Sequence, residues 1–226
     1  MTFAKFDQPF NSAAIDTSQV SERRSNNRVK TVFRVARVIT ATDEGLARLR
    51  NISDQGARLR MLIPLPLWDV LIVQLTDGME LSGHVVWTEG DEFGLKFDHP
   101  INCADLLAIL AAGARSGTTR PVRLPVATTV VTRSERGVRR AEVIDISQRG
   151  IKLTHDGSLT EGLHLKVTLP SGLDRLGIVR WTRDNMAGVM LLEPLSVEEL
   201  GSARSFVRPP APELWVPEAA RESPQA

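Results

Sequence analysis

Short segments in which apolar and polar residues alternate, separated by polar turns, run through most of this chain of 226 residues. Residues 29–40 are rich in β-branched and aromatic side chains, and the polar turn at residues 42–45 leads into a second apolar segment at residues 46–52, which is typical of a β-hairpin. Further strands are predicted at residues 57–63, 70–75, 79–87 and 93–97. Short strands at this spacing predict an all-β fold, a small antiparallel barrel or sandwich.

Two segments have the pattern of helix starts. Asn102 precedes an Ala/Leu-rich run with Leu106 and Leu110 at helical spacing, so it is predicted to cap a short helix. Ser196 and Glu199 form a capping-box pattern, which predicts a similar helix near the C-terminus. Each half of the chain is therefore expected to end in a short helix.

The chain contains an internal repeat. Residues 51–56 read Asn-Ile-Ser-Asp-Gln-Gly and residues 145–150 read Asp-Ile-Ser-Gln-Arg-Gly, so both fit the pattern [D/N]-x-S-x-x-G, 94 positions apart. The same spacing separates Gly83 from Gly177, Trp87 from Trp181, Gly94 from Gly188 and Asn102 from Ser196. A repeat of this length predicts two folded units of the same kind.

Upstream of this motif the spacing changes. Thr40 matches Thr132, and Gly45 matches Gly137, at a spacing of 92 positions. This difference predicts a two-residue insertion between Gly137 and Asp145 in the second copy.

The changed spacing also pairs the arginines of the two copies. It matches Arg28 with Arg120, but it places Ser116 opposite Arg24. The two copies are therefore expected to differ in binding.

Composition excludes several classes of protein. The 28 Lys and Arg residues nearly balance the 27 Asp and Glu residues, so no overall field attracts nucleic acid or a membrane surface. Aromatic residues make up 5% of the chain, which leaves few platforms for base stacking. A single cysteine fits a reducing compartment. Residues 1–20 show no export signal, and the apolar stretch 61–75 is short and interrupted by prolines, so a cytoplasmic protein is expected.

The predicted organisation is two domains between polar ends. Residues 1–20 and 208–226 are expected to be disordered because they contain too little apolar sequence to fold. Residues 113–119, which are Gly, Ser, Thr and Arg-rich, are expected to be a linker. The first domain is predicted at residues 21–112 and the second at residues 120–207.

The first copy resembles the PilZ domain, a bacterial β-barrel module associated with recognition of cyclic di-GMP. Arg24 and Arg28 fit the pattern R-x-x-x-R, and the motif at residues 51–56 follows 23 positions later, with Trp87 and Gly94 beyond it. The resemblance covers residues 21–112 and, in degenerate form, residues 115–207. It implies two tandem PilZ-type barrels, of which the first binds the ligand.

The ligand implied by this resemblance explains why these residue types are needed. A guanidinium can donate two parallel hydrogen bonds to guanine O6 and N7, stack on the base, or bind a phosphate, which are the roles expected of Arg24 and Arg28. Asn51 offers a carbonyl oxygen to guanine N–H groups, and Ser53 offers a hydroxyl. Gly56 permits either positive φ or close approach of the backbone. The alternative is that residues 51–56 only build a turn.

Three further arginines are weaker candidates for ligand contact. Arg23 extends the arginine cluster and could help to hold a second, stacked ligand molecule. Arg58 and Arg60 follow Gly56 on one face of a strand, where surface charge is the default explanation and a phosphate contact the alternative. Trp87 and its counterpart in the second copy are interpreted as packing residues in the core or at the barrel edge.

Nothing in the sequence indicates catalysis. Four scattered histidines and one cysteine provide no metal-binding spacing, and no phosphate-binding glycine loop or nucleophile elbow is present. The adjacent acids Asp91 and Glu92 are explained by solvation in a turn. We therefore expect no catalytic residue, no metal and no cofactor.

The sequence predicts a cyclic di-GMP receptor that passes the signal on by conformational change or by binding a protein effector. The alternative is a scaffold module that keeps the fold and uses its arginines for protein contacts without a ligand. Neither hypothesis predicts binding to nucleic acid or membranes.

Overall fold

Two closed six-stranded antiparallel barrels, joined by one helix, make up this protein. The computed structural model describes residues 29–117 and 120–207. In barrel one the strands are adjacent in the order β1-β2-β3-β6-β5-β4, and in barrel two in the order β10-β11-β12-β9-β8-β7. Barrel one consists of β1 (Val29–Ile39), β2 (Glu44–Ser53), β3 (Gly56–Arg60), β4 (Val70–Thr76), β5 (Met79–Glu89) and β6 (Glu92–Phe97). Barrel two consists of β7 (Leu124–Ser134), β8 (Gly137–Ser147), β9 (Gly150–Thr154), β10 (His164–Thr168), β11 (Asp174–Arg183) and β12 (Met186–Leu191). The predicted fold class of two small antiparallel barrels is confirmed.

Alternation of side chains along the strands builds each core. In β7, buried and exposed residues alternate from Leu124 to Val130, as expected when one face of a strand points into a barrel. Each barrel encloses its own cluster of aliphatic side chains, with Phe93 and Phe97 adding bulk in barrel one. Barrel closure leaves no sheet edge with unpaired backbone groups. A ligand or partner can therefore bind only to side chains on the outer faces or to the loops.

The helix α1 (Cys103–Ser116) follows barrel one, as the capping pattern predicts. The Asn102 side chain accepts a hydrogen bond of 3.2 Å from the Asp105 backbone N–H, and Gly117, at φ 66°, ends the helix. Residues 113–116, expected to belong to a linker, form the last turn of this helix. Their Gly and Ser content does not stop the helix, because Cys103, Leu106 and Leu110 are buried against barrel one and Gly117 supplies the left-handed C-cap.

The predicted second helix is wrong in its extent. The capping box forms, since the Ser196 N–H donates to Glu199 at 2.7 Å and the Glu199 N–H donates to Ser196 Oγ at 3.0 Å. The chain then makes a single turn that ends at Gly201, and a short 3₁₀ helix (Ala203–Phe206) follows. Leu200 is fully buried in barrel two, which holds the turn against the barrel and leaves little length for a helix.

The strand register also corrects the predicted insertion. Ile39 pairs with Glu44 and Arg133 pairs with Val138, so the two hairpins retain the spacing of 94 positions up to the turn. The copies differ instead in the bulge of their first strand. Four positions separate Lys30 from Arg34 across that irregularity, and three separate the corresponding residues of β7.

The barrels also pack against each other, and strand β2 makes the central contacts. The Leu46 side chain is 1% exposed and packs in the core of barrel two, although Leu46 belongs to a strand of barrel one. Its backbone N–H donates a hydrogen bond of 2.8 Å to the Leu200 carbonyl. A Cβ atom at Gly45 would overlap the Gly201 carbonyl, so the two backbones approach each other at a point where only glycine fits.

Polar contacts surround this apolar centre. Ser202 Oγ donates to Asp43 Oδ2 at 2.6 Å, and the Arg48 guanidinium binds both carboxylate oxygens of Glu198, at 3.0 and 3.1 Å. The hydrogen bond from Arg48 lowers the pKa of Glu198 from 4.5 to about 2, so this pair remains ionised at neutral pH. Both side chains of the pair are more than 40% exposed, so it contributes modestly to stability.

Two leucines of β2 provide a matched test of this shared core. Leu46→Ala removes packing from barrel two and Leu49→Ala removes packing from barrel one, and each is expected to cost about 2–5 kcal/mol because both side chains are 1% exposed. Hydrogen exchange of the full chain should then show faster opening of β7–β12 in the first variant and of β1–β6 in the second. Faster exchange confined to barrel one in both variants would contradict the shared core.

Candidate functional site

A row of four cross-strand neighbours crosses the outer face of barrel one. Asn51 pairs with Arg58, Arg58 pairs with Gly94, and Gly94 pairs with Trp87. Directly paired residues project from the same face of a sheet, so these residues, which we call the outer row, form a continuous surface. The row connects Asn51 of the first repeat motif with Trp87 and Gly94, the two residues that recur 94 positions later in the second copy.

A β-bulge lies beside each end of the outer row. The register shifts between Leu49 and Asn51 in β2 and between Val85 and Trp87 in β5, which leaves Arg50 and Val86 as the extra residues. Bulges bend a strand and change the direction of the following side chain. Both ends of the outer row are therefore positioned by backbone irregularities rather than by regular alternation.

Trp87 covers Gly94 on this face. A Cβ atom at residue 94 would overlap the Trp87 indole, so glycine is required for the ring to lie flat on the sheet. Trp87 is 37% exposed, and the Arg58 guanidinium carbon lies 5.6 Å from its ring centroid. The interpretation of Trp87 as a barrel-edge packing residue fits this position, whereas a place in the core does not.

The Asn51 carbonyl oxygen is the unexplained atom of the outer row. Asn51 Oδ1 is buried and accepts no hydrogen bond from the residues whose side chains are described, which are 34–117 and 120–207. A buried acceptor without a donor is costly, so the Asn51 oxygen calls for a donor from outside the described residues, such as a water molecule or a ligand. Asn51 therefore has the geometry expected of a binding residue.

The turn of residues 53–56 is a rigid support for Asn51. Ser53 Oγ donates to the Gly56 carbonyl at 3.2 Å, and a Cβ atom at Gly56 would overlap the Leu95 carbonyl. Gly56 is thus required by close approach of the backbone and not by positive φ. Asp54 ties the turn to α1, since its Oδ1 accepts from the Cys103 N–H at 3.0 Å.

Cys103 belongs to this support rather than to a reactive site. Burial, and then the nearby Asp54 carboxylate, raise the pKa of the Cys103 thiol, so it remains protonated. In the part of the chain that the structure covers, no group of three His, Cys, Asp or Glu side chains is arranged to hold a metal ion.

Arg58 and Arg60 are held by acidic residues of the β5–β6 turn. Arg58 Nε donates to Glu92 Oε2 at 2.7 Å, and Arg60 Nε lies 2.5 Å from Asp91 Oδ2. Arg50 Nε lies 3.7 Å from the same Glu92 carboxylate. Sequence reasoning missed these roles of Asp91 and Glu92, which it assigned to solvation. The register explains these contacts, because it places Glu92 opposite Arg60 and therefore diagonal to Arg58 across β3 and β6.

Arg23, Arg24 and Arg28, the remaining predicted ligand residues, lie outside the described residues. In barrel two the residue at the equivalent place in the chain is described. Val29 pairs with Ile52 and Leu124 pairs with Ile146, so the residue before each first strand is Arg28 in one copy and Arg123 in the other. The predicted match of Arg28 with Arg120 is therefore wrong, because the bulge adds one residue to the first copy.

Barrel two contains the same arrangement in altered form. Asp145, Lys152, Gly188 and Trp181 are neighbours in a row that is equivalent to the outer row, with the Trp181 indole over Gly188. Arg123 Nη1 donates to Asp145 Oδ1 at 2.5 Å. The carboxylate that corresponds to the Asn51 amide is thus already neutralised by an arginine of its own barrel.

Gly94→Ala tests the packing of Trp87. The added methyl group should displace the indole and destabilise barrel one by about 1–3 kcal/mol, because it would overlap the ring in its present position. In protein labelled with 5-fluorotryptophan, the ¹⁹F resonance of Trp87, assigned with Trp87→Phe, should move while that of Trp181 remains. Gly188→Ala is the matched control and should move only Trp181. Movement of neither resonance would show that the rings tolerate a side chain beneath them.

Comparison with known proteins agrees with this architecture. The PilZ domain family matches residues 22–112 and again residues 118–208. No curated protein matches the chain.

Several solved structures are similar in part. The Borreliella burgdorferi PlzA protein, in complex with c-di-GMP, is 10% identical over 70% of this chain and 80% of its own, with a TM-score of 0.33. The Bacillus subtilis inhibitor of motility MotI/DgrA is 13% identical over 74% of this chain and 90% of its own, with a TM-score of 0.28. YcgR from Escherichia coli, in complex with c-di-GMP, is 12% identical over 76% of this chain and 80% of its own, with a TM-score of 0.26.

The family matches cover both barrels and include the residues of the outer row, the turn that supports Asn51 and the equivalent row of barrel two. The chain therefore belongs to the PilZ domain family and contains two PilZ domains in tandem.

Proposed function

We propose that this protein is a cyclic di-GMP receptor that binds the ligand on the outer row of barrel one. Its family membership and the motif residues support this function. The observation that carries it is the buried Asn51 carbonyl oxygen, which is without a hydrogen-bond donor among the described residues. A guanine N–H group is a donor of the required kind, and Ser53 lies two residues further along β2.

Arg24 and Arg28 supply the cationic part of the proposed site. Lys30 pairs directly with Asn51, so Arg28 is two positions from the residue opposite the buried carbonyl. Arg123 has the same position relative to Asp145 in barrel two, and its guanidinium donates a hydrogen bond to the Asp145 carboxylate. This equivalence supports a site in which Arg28 and Arg24 close over a ligand on Asn51 and contact its guanine or phosphate groups.

Arg58 has a different role in this proposal. Its guanidinium is already bound to Glu92 and lies near the Trp87 ring, so a ligand phosphate would have to compete with a carboxylate for it. Arg58 is therefore a secondary contact, and Arg23 a contact for a second, stacked ligand molecule. A receptor of this kind needs no catalytic group and no cofactor.

Strand β2 provides a route from ligand to signal. Asn51 and Ser53 lie at its end, while Gly45, Leu46 and Arg48 nearer its start contact barrel two. A ligand that changes the position of β2 would change the packing between barrels or the surface offered to a protein effector. We propose this relay for the cytoplasm, a reducing compartment that the single cysteine of the chain fits.

The second candidate is a scaffold module that acts without ligand. The ion pairs of Arg58 and Arg60 favour it, because they neutralise two arginines that would otherwise attract phosphates. Calorimetric titration of the full chain with cyclic di-GMP separates the two functions, with GTP and cyclic GMP as controls. Heat of binding with cyclic di-GMP alone supports the receptor, and absence of binding supports the scaffold.

Replacement of Arg24 or Arg28 by Ala tests the cationic part of the site. Each variant should lose about 1–3 kcal/mol of binding free energy, roughly five- to 150-fold in affinity, and retain its thermal stability. Arg123→Ala is the matched control in barrel two and should leave the affinity of the first site unchanged. If both first-domain variants bind as tightly as the original protein, the assignment of the arginine pair is wrong.

Limited proteolysis tests whether the arginine segment closes over the ligand. Saturating cyclic di-GMP should slow tryptic cleavage after Arg23 and Arg24, because a bound segment cannot enter the protease active site. Cleavage after Arg221, in the same sample, is the internal control and should keep its rate. Equal rates at Arg23 and Arg24 with and without ligand would mean that any signal passes through the barrel face alone.

A further inference from the structure

Trp68 adopts a backbone conformation that its counterpart in barrel two achieves with glycine. Trp68 has φ 69° and Gly162, 94 positions later, has φ 83°. The hydrogen bonds are equivalent, since the Trp68 N–H donates to the Val85 carbonyl at 2.8 Å and the Gly162 N–H donates to the Val179 carbonyl at 2.8 Å. The same loop geometry thus contains a tryptophan in barrel one and a glycine in barrel two.

Packing does not explain a tryptophan at this position. Positive φ is unfavourable for a bulky residue, because its Cβ crowds the following carbonyl oxygen. The Trp68 side chain is nevertheless 70% exposed, and it lies outside both hydrophobic cores. Its ring stacks on His84 with centroids 5.8 Å apart. Strain of this kind, retained at the surface, is typical of functional positions.

The residues around Trp68 also differ between the barrels. Leu67 is 54% exposed and Val70 is 65% exposed, and Val70 pairs with His84 across β4 and β5. The corresponding residues of barrel two are Glu161, Gly162, His164 and Ile178. Barrel one therefore presents three exposed apolar side chains at positions where barrel two has one half-buried apolar side chain, Ile178. We call Leu67, Trp68, Val70 and His84 the Trp68 patch.

The patch is too small to hold two copies of the chain together by itself. A fully buried aromatic side chain covers about 150–250 Å², so the exposed parts of Trp68, Leu67 and Val70 together offer on the order of 300 Å². A stable dimer buries about 800 Å² on each partner. Tryptophan is, however, enriched among the few residues that dominate binding energy in interfaces. The size fits a short segment of another protein.

The charged groups beside the patch indicate the chemistry of that segment. Asp69 lies between Trp68 and Val70 in the chain, and Asp98 Oδ1 is 3.7 Å from His84 Nδ1. Lys96 pairs with His84 on the other side and adds one positive charge there. The margin of the patch is therefore net negative and complements a basic group.

We propose that the Trp68 patch is the docking surface for a partner protein, and that it takes a short segment with aliphatic or proline side chains next to a Lys or Arg. The indole receives the apolar side chains, and Asp69 and Asp98 receive the cation. The patch is close to the proposed ligand site. Val70, His84, Lys96 and Gly56 pair successively across four strands, so the patch lies roughly 14 Å from the supporting turn of Asn51.

Exchange of residues between the two barrels tests whether Trp68 serves binding or folding. In the full chain, Trp68→Gly should unfold at the same Tm as the original protein or up to roughly 4 °C higher, because glycine relieves the positive φ. Gly162→Trp is the matched control and should lower Tm, since the space there is open and only the backbone opposes the side chain. A clearly lower Tm for Trp68→Gly would make Trp68 a structural residue and overturn the proposal.

A random 12-residue peptide library displayed on phage tests the partner chemistry. Selection on the full chain, followed by removal of peptides that bind Trp68→Gly, should enrich apolar or proline-containing sequences with an adjacent Lys or Arg. A selected peptide should lose at least tenfold in affinity for Trp68→Gly and keep its affinity for Gly162→Trp. Enrichment of acidic sequences, or of no sequence that distinguishes Trp68→Gly, would overturn the proposal.

Sedimentation equilibrium excludes the competing occupant. The original protein should have the same mass as Trp68→Gly at all concentrations. A dimer that Trp68→Gly dissociates would assign the patch to a second copy of the chain and overturn the proposal. Because none of these measurements uses cyclic di-GMP, their outcome is independent of the proposed receptor function.

Discussion

Closure of each six-stranded sheet determines which outer side chains become neighbours. In a closed antiparallel barrel every strand has two fixed partners, so one register relates all six strands. The outer row depends on this register, because its members come from two hairpins, β2–β3 and β5–β6, that are distant in sequence. The bulges at Arg50 and Val86 then adjust the two ends of the row without breaking closure. The same bulge positions recur in barrel two, which shows that the site geometry belongs to the framework of the repeat.

Strand β2 has two duties that constrain each other. Near its start, Gly45 and Leu46 are held by the backbone and core of barrel two, and at its end Ser53 leads into a turn fixed to α1. A strand anchored at both ends cannot move freely at either of them. The proposed relay between the domains has a physical basis in these anchors, because a displacement at Asn51 would be absorbed by the contacts of Leu46 or by the bulge between them.

Much of the fold could be predicted from local sequence. The alternation in β7, the turn motifs and the Asn102 cap depend on residues that are close together in the chain, so the sequence predicts them. The errors share another cause. The extent of the segment after Ser196 depends on Leu200, which is buried by tertiary packing, and the end of α1 depends on one left-handed glycine. Contacts between residues on different strands, such as that of Arg58 with Glu92, cannot be predicted until the strand register is known.

The position of Leu46 has a consequence for synthesis of the protein. Its cover includes Leu200, which leaves the ribosome about 150 residues later, roughly 10–30 s at usual rates of elongation. During that interval the first hairpin carries an apolar side chain without its burial partner. Arg48, on the same strand, also lacks Glu198 in that period, and an unpaired charge next to an exposed leucine opposes aggregation of nascent chains. Arg48, which later pairs with Glu198 beside the interface, is therefore expected to protect the first hairpin before barrel two exists.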